Sequence, residues 1–323
     1  MKIVVTGGAG FIGSNLVRRL VGEGHDVVVL DALTYAGHLS NLHDVYDRIR
    51  FVRGDVREPE AVQAALQGAV AVLHLAAESH VDRSIVSGRT FTESNVVGSQ
   101  VLLELARRTP SLERFVQVST DEVYGSLGPT GVFTETSPLA PRSPYSASKA
   151  SADLIALAYF HTYGVPVIIT RCTNNYGPYQ HPEKLIPVAV LKALRNEDIP
   201  VYGTGENVRD WIHVEDHCGG ILAALAKGHV GEVYNLGAHC ERKNLDVVRA
   251  IMQGVAGTTS GITFVPDRLG HDFRYALDSS KARQELGWAP RWRFEEGLAH
   301  TIEWYQSHVD WWEPLVAAAE KDR

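Results

Sequence analysis

The sequence predicts an α/β protein, with a doubly wound parallel-sheet Rossmann domain followed by a smaller, mixed α/β C-terminal domain. Short apolar runs alternate with longer helical patterns through the first half of the chain, as repeated strand–helix–strand units require. The apolar runs are unbroken, which is typical of parallel strands covered by helices on both faces. A glycine-rich segment joins the first run to the first helical pattern, where such folds hold phosphates.

The elements of the first half follow from these patterns. The predicted strands are Lys2–Thr6, Asp26–Leu30, Arg50–Arg53, Val70–Leu75, Phe115–Ser119 and Pro166–Thr170. The predicted helices between them are Ile12–Val21, Glu58–Leu66, Thr90–Arg108 and Tyr145–Tyr163. Together they indicate a dinucleotide-binding domain over residues 1–172.

The alternation breaks after Arg171, which indicates a second domain over residues 173–323. Segments rich in Gly, Pro, Asn and His predict loops that line a cleft, and they are Asn174–Pro182, Gly203–Asn207 and Asp267–Asp272. The predicted helices of this half are Leu185–Arg195, Val214–Ala226, Leu245–Val255, Ser280–Leu286 and Phe294–His308. We expect this half to hold the substrate and some of its segments to return to the Rossmann sheet.

Composition excludes several functional classes. The 323 residues carry a formal net charge of -7, which argues against a nucleic-acid binder because such proteins usually show a basic surface. No apolar stretch has the length of a membrane span, and glycines follow MKIVVT where a signal peptide would stay apolar. Three cysteines without metal-like spacing fit a reducing compartment. We therefore expect a cytoplasmic protein without a metal.

The glycine-rich segment has the spacing Gly7, Gly10, Gly13, with Phe11 and Ile12 opening the helix. Small residues permit a tight turn, close approach of a pyrophosphate and packing of the helix on the strand, while the helix N-terminus receives the phosphates. An ordinary glycine turn is the alternative. The position of the motif after the first strand favours dinucleotide binding.

The second predicted strand leads to Asp31, whose carboxylate is placed to hold both hydroxyls of a ribose. The same carboxylate would repel a 2′-phosphate, and the neighbouring Ala32 supplies no cation to receive one. The sequence therefore predicts NAD in preference to NADP.

Two further segments carry reactive side chains. Tyr145 and Lys149 are four residues apart on a predicted helix, so they share one face. A free tyrosine titrates near about 10, and we expect the ammonium of Lys149 to lower the pKa of the phenol. The other segment, Thr120-Asp121-Glu122, follows a strand, where open α/β sheets place ligands. The alternatives are a helix-surface pair and a solvated strand end.

Eight segments occur in an order that resembles the dTDP-glucose 4,6-dehydratase family of extended short-chain dehydrogenases. They span Gly7 to about Tyr275 and read GGAGFIGS, DALTYAG, AAESHVDRS, STDEVYG, SPYSASK, NNYGPYQHPEKLIP, RDWIHVEDH and GHDFRY. STDEVYG and AAESHVDRS are more selective than the fold-level motifs.

The resemblance implies a redox-neutral dehydration of a nucleotide sugar, dTDP-glucose, by a hydro-lyase. Tyr145 would remove the C4 hydroxyl proton while hydride passes to NAD, with Lys149 assisting and Thr120 bonding the oxygen. Glu122 would then abstract the C5 proton, and Asp121 would protonate the departing C6 hydroxyl. Hydride would return to C6.

The resemblance also implies ligand-binding residues. For NAD they include the glycine motif, Asp31, Tyr145 and Lys149. The other implied NAD-binding residues are Thr34, Gly37, Asp55, Val56, Ala76, Ala77, Asn95 and Asn175. For the nucleotide sugar they are Ser79, His80, Thr120, Asn174, Lys184, Leu185, Tyr202, Arg209, Asn244, Arg268, His271 and Tyr275. Arginine suits a diphosphate because its planar fork donates two bonds to one phosphate.

Two alternative functions remain at this point. A related nucleotide-sugar 4-epimerase or decarboxylase would use Tyr145 and Lys149 but would not need Asp121 as an acid. A catalytically silent, NAD-binding regulatory protein would have no need of the complete set of reactive residues. Family resemblance further suggests that the helices Thr90–Arg108 and Tyr145–Tyr163 pair across a two-fold axis to form a homodimer, although they may equally only cover the sheet.

Overall fold

The computed structural model describes residues 1–321, and its strands and helices alternate through the first half of the chain. In chain order the strands of these residues are β1 Lys2–Thr6, β2 Asp26–Asp31, β3 Ile49–Arg53, β4 Ala71–His74, β5 Arg114–Thr120, β6 Val167–Cys172, β7 Asn174–Tyr176, β8 Ile199–Tyr202, β9 Val208–His213, β10 Val233–Leu236, β11 Glu241–Lys243 and β12 Ile262–Val265. The α-helices are α1 Phe11–Gly22, α2 Pro59–Leu66, α3 Val81–Val86, α4 Gly88–Phe91, α5 Gly98–Ala106, α6 Pro144–Tyr163, α7 Leu185–Leu194, α8 Val214–Lys227, α9 Asn244–Gly254, α10 Phe294–Ser307 and α11 Val309–Lys321.

The largest sheet is parallel throughout and has the order β10-β6-β5-β4-β1-β2-β3. The chain runs outward from β1 to β3 and then crosses to the other side of β1, where β4 lies. This reversal opens a crevice at the carboxyl ends of β1 and β4, which is where open α/β sheets bind ligands. The doubly wound sheet predicted from the sequence is confirmed, and β10 returns to it from the second half of the chain.

The sheet is buried on both faces, which explains its unbroken apolar strands. Successive side chains of a strand point to opposite faces. Ile3 and Val5 accordingly pack with Leu16 of α1 in one cluster, whereas Val4 packs with Leu102 of α5 in another. All of these side chains are fully buried.

A smaller α/β assembly packs beside the carboxyl edge of the large sheet. It contains a mixed sheet of order β11-β9-β7, in which β11 is antiparallel to β9, and a parallel pair β12-β8. Helices α7, α9 and α10 cover it around a core of its own that includes Trp211, Trp304 and Trp312. These tryptophans are packing residues.

Most predicted elements are present within a residue or two, and three of them differ from the prediction. The predicted helix Thr90–Arg108 is interrupted by a π-helical segment at Thr92–Val97 and ends at Ala106. Similarly, most of the helix predicted over Ser280–Leu286 is a π-helical turn, Ala282–Leu286. The predicted loop Asn174–Pro182 begins with the short strand β7, because its backbone pairs with β9.

Among residues 1–321, the helices include none that is both long and apolar enough to cross a membrane.

Candidate active site

A cavity of about 950 Å³ lies at the carboxyl edge of the large sheet, between that sheet and the smaller assembly. Residues from both halves of the chain line it, so the structure brings together most of the side chains predicted from the sequence. The predicted residues in its wall are Gly7, Gly10, Phe11, Ile12, Gly13, Asp31, Thr34, Gly37, Asp55, Val56, Ala76, Ala77, Ser79, His80, Thr120, Asp121, Glu122, Tyr145, Lys149, Asn174, Asn175, Lys184, Leu185, Tyr202, Arg209, Asn244, Arg268 and His271.

Two predicted ligand residues lie behind this wall instead. Asn95 is 1% exposed and hydrogen-bonds both the N–H and the carbonyl of Glu78, together with the Ser148 hydroxyl. Tyr275 is 2% exposed; its ring lies against the guanidinium of Arg209, and its hydroxyl donates to Asp272 Oδ2. Both therefore support residues that line the cavity, which corrects the expectation that they face a ligand directly.

The glycine motif forms a close-packed turn between β1 and α1. Gly7 has a φ of +69°, and a Cβ there would lie 2.7 Å from the Ala76 nitrogen. A Cβ at Gly13 would lie 2.1 Å from the Gly7 oxygen, so helix and turn could not pack with any larger residue. At Gly10 an added Cβ meets only the Gly7 oxygen, at 3.3 Å. Packing thus explains Gly7 and Gly13, whereas Gly10 keeps its face of the cavity open.

Helix α1 presents its N-terminus to the cavity without a competing side chain. Its N-cap is Gly10, no side chain caps it, and its first turn contains no acidic residue. The free N–H groups and the helix dipole therefore favour a phosphate at this point. This cradle fits the pyrophosphate of a dinucleotide.

Asp31 lies at the end of β2, in the cavity wall beside the turn. Its carboxylate accepts hydrogen bonds from the N–H of Ala9 at 2.9 Å and of Leu33 at 2.8 Å. Burial raises the pKa of this carboxyl, and the two backbone bonds oppose that shift. Ala32 lines the cavity next to it. The arrangement fits a ribose with free hydroxyls, the feature that distinguishes NAD from NADP.

Helix α6 fixes Tyr145 in its first turn and Lys149 one turn later. Ser143 caps the helix by accepting from the Ser146 N–H, and the Ser146 hydroxyl accepts from the Ser143 N–H in return. Pro144 occupies the first helical position, where its missing N–H costs no hydrogen bond. This capping box holds the first turn, and hence Tyr145, in a defined position.

The protonation of Tyr145 differs from the sequence-based expectation. Burial, followed by the charges of Glu122, Cys172 and Asp121, raises the phenol pKa well above its usual value, and a hydrogen bond with Thr120 opposes this. The Nζ of Lys149 donates to the Val118 carbonyl at 2.8 Å, and burial lowers the pKa of this ammonium. The protein alone therefore holds Tyr145 as a neutral phenol.

Asp121 and Glu122 follow β5 in a short turn and experience different surroundings. Burial, then the charges of Glu122 and Asp210, raises the pKa of Asp121 well above its usual value. Its Oδ1 accepts from the Thr120 hydroxyl at 3.2 Å, whereas its buried Oδ2 has no protein partner within the described chain. Asp121 thus lines the cavity, and its raised pKa favours the protonated form.

Three cations oppose the rise in the pKa of Glu122. Burial raises its pKa, but the charges of Arg268, Arg209 and Lys184 all oppose that shift. The side chains of these cations are held by protein groups: Arg209 donates to the Asp272 carbonyl at 2.9 Å, and Lys184 donates to the Ser79 carbonyl at 2.9 Å. The two adjacent acids therefore have separated pKa values, with that of Asp121 raised further.

The same cations form the polar end of the cavity, in the smaller assembly. Arg268 lies 3.7 Å from Asp82, whose other oxygen accepts from the Tyr202 hydroxyl at 3.2 Å. Buried oxygens of Asn174 and Asn244 lack a protein partner within the described chain and lie in the cavity wall. Cations and unsatisfied acceptors together suit an anionic, hydroxyl-rich ligand.

The histidines divide into structural and lining residues. His74 is 1% exposed and hydrogen-bonds the hydroxyls of Thr6 and Ser99 at 2.7 and 3.0 Å, so it is a packed core histidine. His80 caps α3, and burial lowers its pKa to about 4. His271 lies 2.6 Å from Asp267. No group of three or more metal-binding side chains occurs within residues 1–321.

Sequence reasoning missed a polar cluster in the wall between the loop after β2 and the segment before α7. The Arg83 guanidinium lies 3.8 Å from the Tyr35 ring centroid, and Glu183 lies 3.6 Å from His80 and 3.7 Å from Arg83. His181 packs edge-on against Tyr35. These residues occur within the segments DALTYAG, AAESHVDRS and HPEKLIP, which were the available signal, but their convergence depends on the tertiary fold.

Comparison with known proteins finds nucleotide-sugar 4,6-dehydratases that are similar to this chain over nearly its whole length. The GDP-mannose 4,6 dehydratase family model matches residues 4–301. A dTDP-glucose 4,6-dehydratase of Streptomyces niveus is 49% identical over 99% of this chain and 97% of its own length. The crystal structure of DesIV, a dTDP-glucose 4,6-dehydratase of Streptomyces venezuelae with NAD and dTDP bound, is 50% identical with a TM-score of 0.95, covering 98% of this chain and all of the other.

A second solved structure extends the similarity to another organism. The dTDP-glucose 4,6-dehydratase of Bacillus anthracis, in complex with NAD, is 48% identical with a TM-score of 0.91, and covers 98% of this chain and 99% of its own.

Proposed function

The chain belongs to the dTDP-glucose 4,6-dehydratase family, and from that premise we propose how its residues convert dTDP-glucose to dTDP-4-keto-6-deoxyglucose. It is an NAD-dependent hydro-lyase. The reaction oxidises C4, eliminates water across C5 and C6, and returns the hydride to C6 and a proton to C5, so that NAD is regenerated. The supporting observation is that the pKa of Asp121 is raised well above its usual value, whereas three cations oppose the rise in the pKa of Glu122.

The first step requires a proton acceptor for the C4 hydroxyl. We assign it to Tyr145, whose phenol hydrogen-bonds Thr120 and shares a helix face with Lys149. When bound, NAD supplies the hydride acceptor, the returning hydride and a positive charge within the cavity. A positive charge favours phenolate, which opposes the raised pKa that Tyr145 has in the protein alone.

The elimination step requires a base and an acid at adjacent carbons. Once C4 is a ketone, the C5 proton is acidic, and Glu122 takes it because the cations Arg268, Arg209 and Lys184 favour its ionised form. The raised pKa of Asp121 favours its protonated form, and Asp121 gives this proton to the C6 hydroxyl, which leaves as water. A 4-epimerase has no use for this acid, and the separated pKa values therefore favour the dehydratase.

Binding of the nucleotide sugar is assigned to the polar end of the cavity. Lys184, Arg209 and Arg268 provide three cations for a diphosphate. Asn174 and Asn244 offer free carbonyl oxygens there, which can accept bonds from ligand hydroxyls. NAD is assigned to the glycine turn, Asp31 and the wall formed by Ala76 and Ala77.

The proposed chemistry is tested by incubating the purified enzyme with dTDP-glucose. A 4-keto-6-deoxy product absorbs strongly in alkali, whereas a 4-epimer does not. Exhaustive dialysis beforehand should leave turnover unchanged without added NAD, because the cofactor must stay bound through the elimination. Failure to form the keto sugar from dTDP-, UDP- or GDP-glucose would remove the assignment.

We also propose how the chain is divided into domains, in which compartment the protein lies and how it assembles. We assign residues 1–172 to NAD binding and 173–323 to the nucleotide sugar, with β10 returning to the large sheet. We also propose a cytoplasmic location, which the free thiols of Cys172, Cys218 and Cys240 support. A homodimer is supported by exposed apolar side chains in the segment from α3 to α6, which include Val86 at 88%, Leu154 at 58% and Tyr163 at 53% exposure.

A further inference from the structure

The glycine turn is held from outside the cavity through the peptide groups of Ala9. Ala9 is fully buried, and its N–H donates to Asp31 Oδ2 at 2.9 Å. Its carbonyl accepts from Asn41 Nδ2 at 2.8 Å and from the His38 N–H at 3.1 Å. Ala9 precedes Gly10, the N-cap of α1, so these bonds fix the peptide that leads into the helix.

Asn41 can hold the Ala9 carbonyl only in one orientation of its side-chain amide. Its Oδ1 accepts from the indole Nε1 of Trp311 at 2.7 Å, and the asparagine is 1% exposed. An indole N–H is only a donor, so it requires the amide oxygen on its side and thereby turns the nitrogen towards Ala9. Without this donor, the amide keeps only its contact with the Ala9 carbonyl to select this orientation.

Trp311 is itself held by the aromatic core of the smaller assembly. It lies on α11, and its ring centroid is 5.7 Å from that of Tyr179 and 4.9 Å from that of Trp304. The Arg18 guanidinium of α1 lies 3.9 Å from the Tyr179 centroid and also donates to the Asn41 carbonyl. Helix α11 is thus joined to Asn41, 270 residues earlier in the chain, and through Asn41 to the glycine turn.

We propose that Trp311, acting through Asn41, is a positioning residue for the NAD-binding turn. Carbonyl and N–H point in opposite directions in a trans peptide. Holding the Ala9 carbonyl on Asn41 therefore keeps its negative end away from the cavity, where it would repel a pyrophosphate. The inference depends on the proposed function, because it assumes that the turn holds NAD.

The experiment compares NAD retention in Trp311→Phe, Trp312→Phe and wild-type holoenzyme. Trp312 is the matched control: it lies on the same helix and in the same core, but its Nε1 donates to the Tyr305 carbonyl at 2.8 Å. Dissociation is followed as exchange of bound NAD for a fluorescent NAD analogue. We expect Trp311→Phe to release NAD about tenfold faster, since one buried hydrogen bond contributes about 1–2 kcal/mol. Trp312→Phe should stay within about twofold of wild type.

A double variant tests the path through Asn41. Asn41→Asp replaces the amide donor with a carboxylate and should release NAD at least as fast as Trp311→Phe. If Trp311 acts through Asn41, adding Trp311→Phe to Asn41→Asp causes little further change. Equal loosening in the two tryptophan variants, unchanged retention in Trp311→Phe, or additive effects in the double variant would overturn the inference. Wild-type protein that holds no NAD would instead contradict the proposed function.

Discussion

At the scale of single residues, the surroundings of Asp121 and Glu122 determine their different roles. Each carboxyl is desolvated, but Asp121 faces Glu122 and Asp210, whereas Glu122 faces three cations. Like charges disfavour ionisation and opposite charges favour it. One strand end therefore presents a proton donor and a proton acceptor side by side, as an elimination requires.

The raised pKa of Asp121 predicts a pH-dependent effect on stability. A carboxyl whose folded-state pKa lies above the unfolded value of 3.8 contributes stability below that value and loses it as pH rises through the folded pKa. Asp121→Asn removes this loss. We therefore expect the variant to gain melting temperature relative to wild type as pH increases from about 4 to neutrality. Thermal unfolding across that range, with both proteins freed of NAD, measures the difference; a constant difference would contradict the raised pKa.

Tyr145 provides a second prediction for a single side chain. Tyr145→Phe removes the proton acceptor but retains the ring that packs edge-on against Phe91, so bound NAD should remain. General base catalysis contributes roughly 10²–10⁴-fold, and we expect kcat to fall by about that factor. The measurement pairs steady-state rates with the NAD content of the purified variant. A nearly normal kcat would show that another group removes the C4 proton.

At the scale of elements, the sequence predicted the central strands because packing within the sheet selects apolar residues. The runs that became β1, β2 and β5 required no tertiary information. Short strands such as β7 and β11 have little sequence pattern, since they form through pairing with β9. The π-helical segment Thr92–Val97 was equally invisible, because the hydrogen bonds of Asn95 to Glu78 and Ser148 are non-local.

The glycine turn yields a prediction that separates packing from ligand binding. Gly13→Ala places a Cβ 2.1 Å from the Gly7 oxygen, so it should lower the melting temperature even without NAD. In Gly10→Ala the nearest atom is 3.3 Å away, and we expect near-normal folding with weakened NAD binding. Gly22→Ala, with no atom within 4 Å, is the control for an added methyl in α1. If Gly10→Ala lowered the melting temperature as much as Gly13→Ala does, the assignment of this face to a ligand would be contradicted.

At the scale of the whole molecule, the site exists only where both halves of the chain meet. Tyr145 and Asp121 come from the large sheet and α6, whereas Arg209 and Arg268 come from the smaller assembly. The sequence identified these residues through their motifs, but not which of them would surround Glu122. That arrangement depends on long-range packing, as does the bond between Trp311 and Asn41.

The proposed homodimer is a prediction at the same scale. Leu154 lies on α6 with 58% of its surface exposed, and Leu154→Glu would bury a charge in the proposed interface. We expect this variant to be a monomer by sedimentation while wild type is a dimer. Phe264→Glu, at a position 57% exposed on β12 and outside the segment from α3 to α6, is the control and should remain dimeric. A wild-type monomer would contradict the proposal.

The central claim is that Asp121 donates a proton and Glu122 accepts one. An experiment that separates these two steps tests it most directly. Asp121→Asn and Glu122→Gln are each incubated with dTDP-glucose in D₂O, and NADH formation, C5 exchange and keto-sugar product are followed together. We predict that both variants form NADH, that only Asp121→Asn exchanges the C5 proton, and that neither forms product at an appreciable rate. Wild-type product formation by Asp121→Asn, or C5 exchange by Glu122→Gln, would contradict the account.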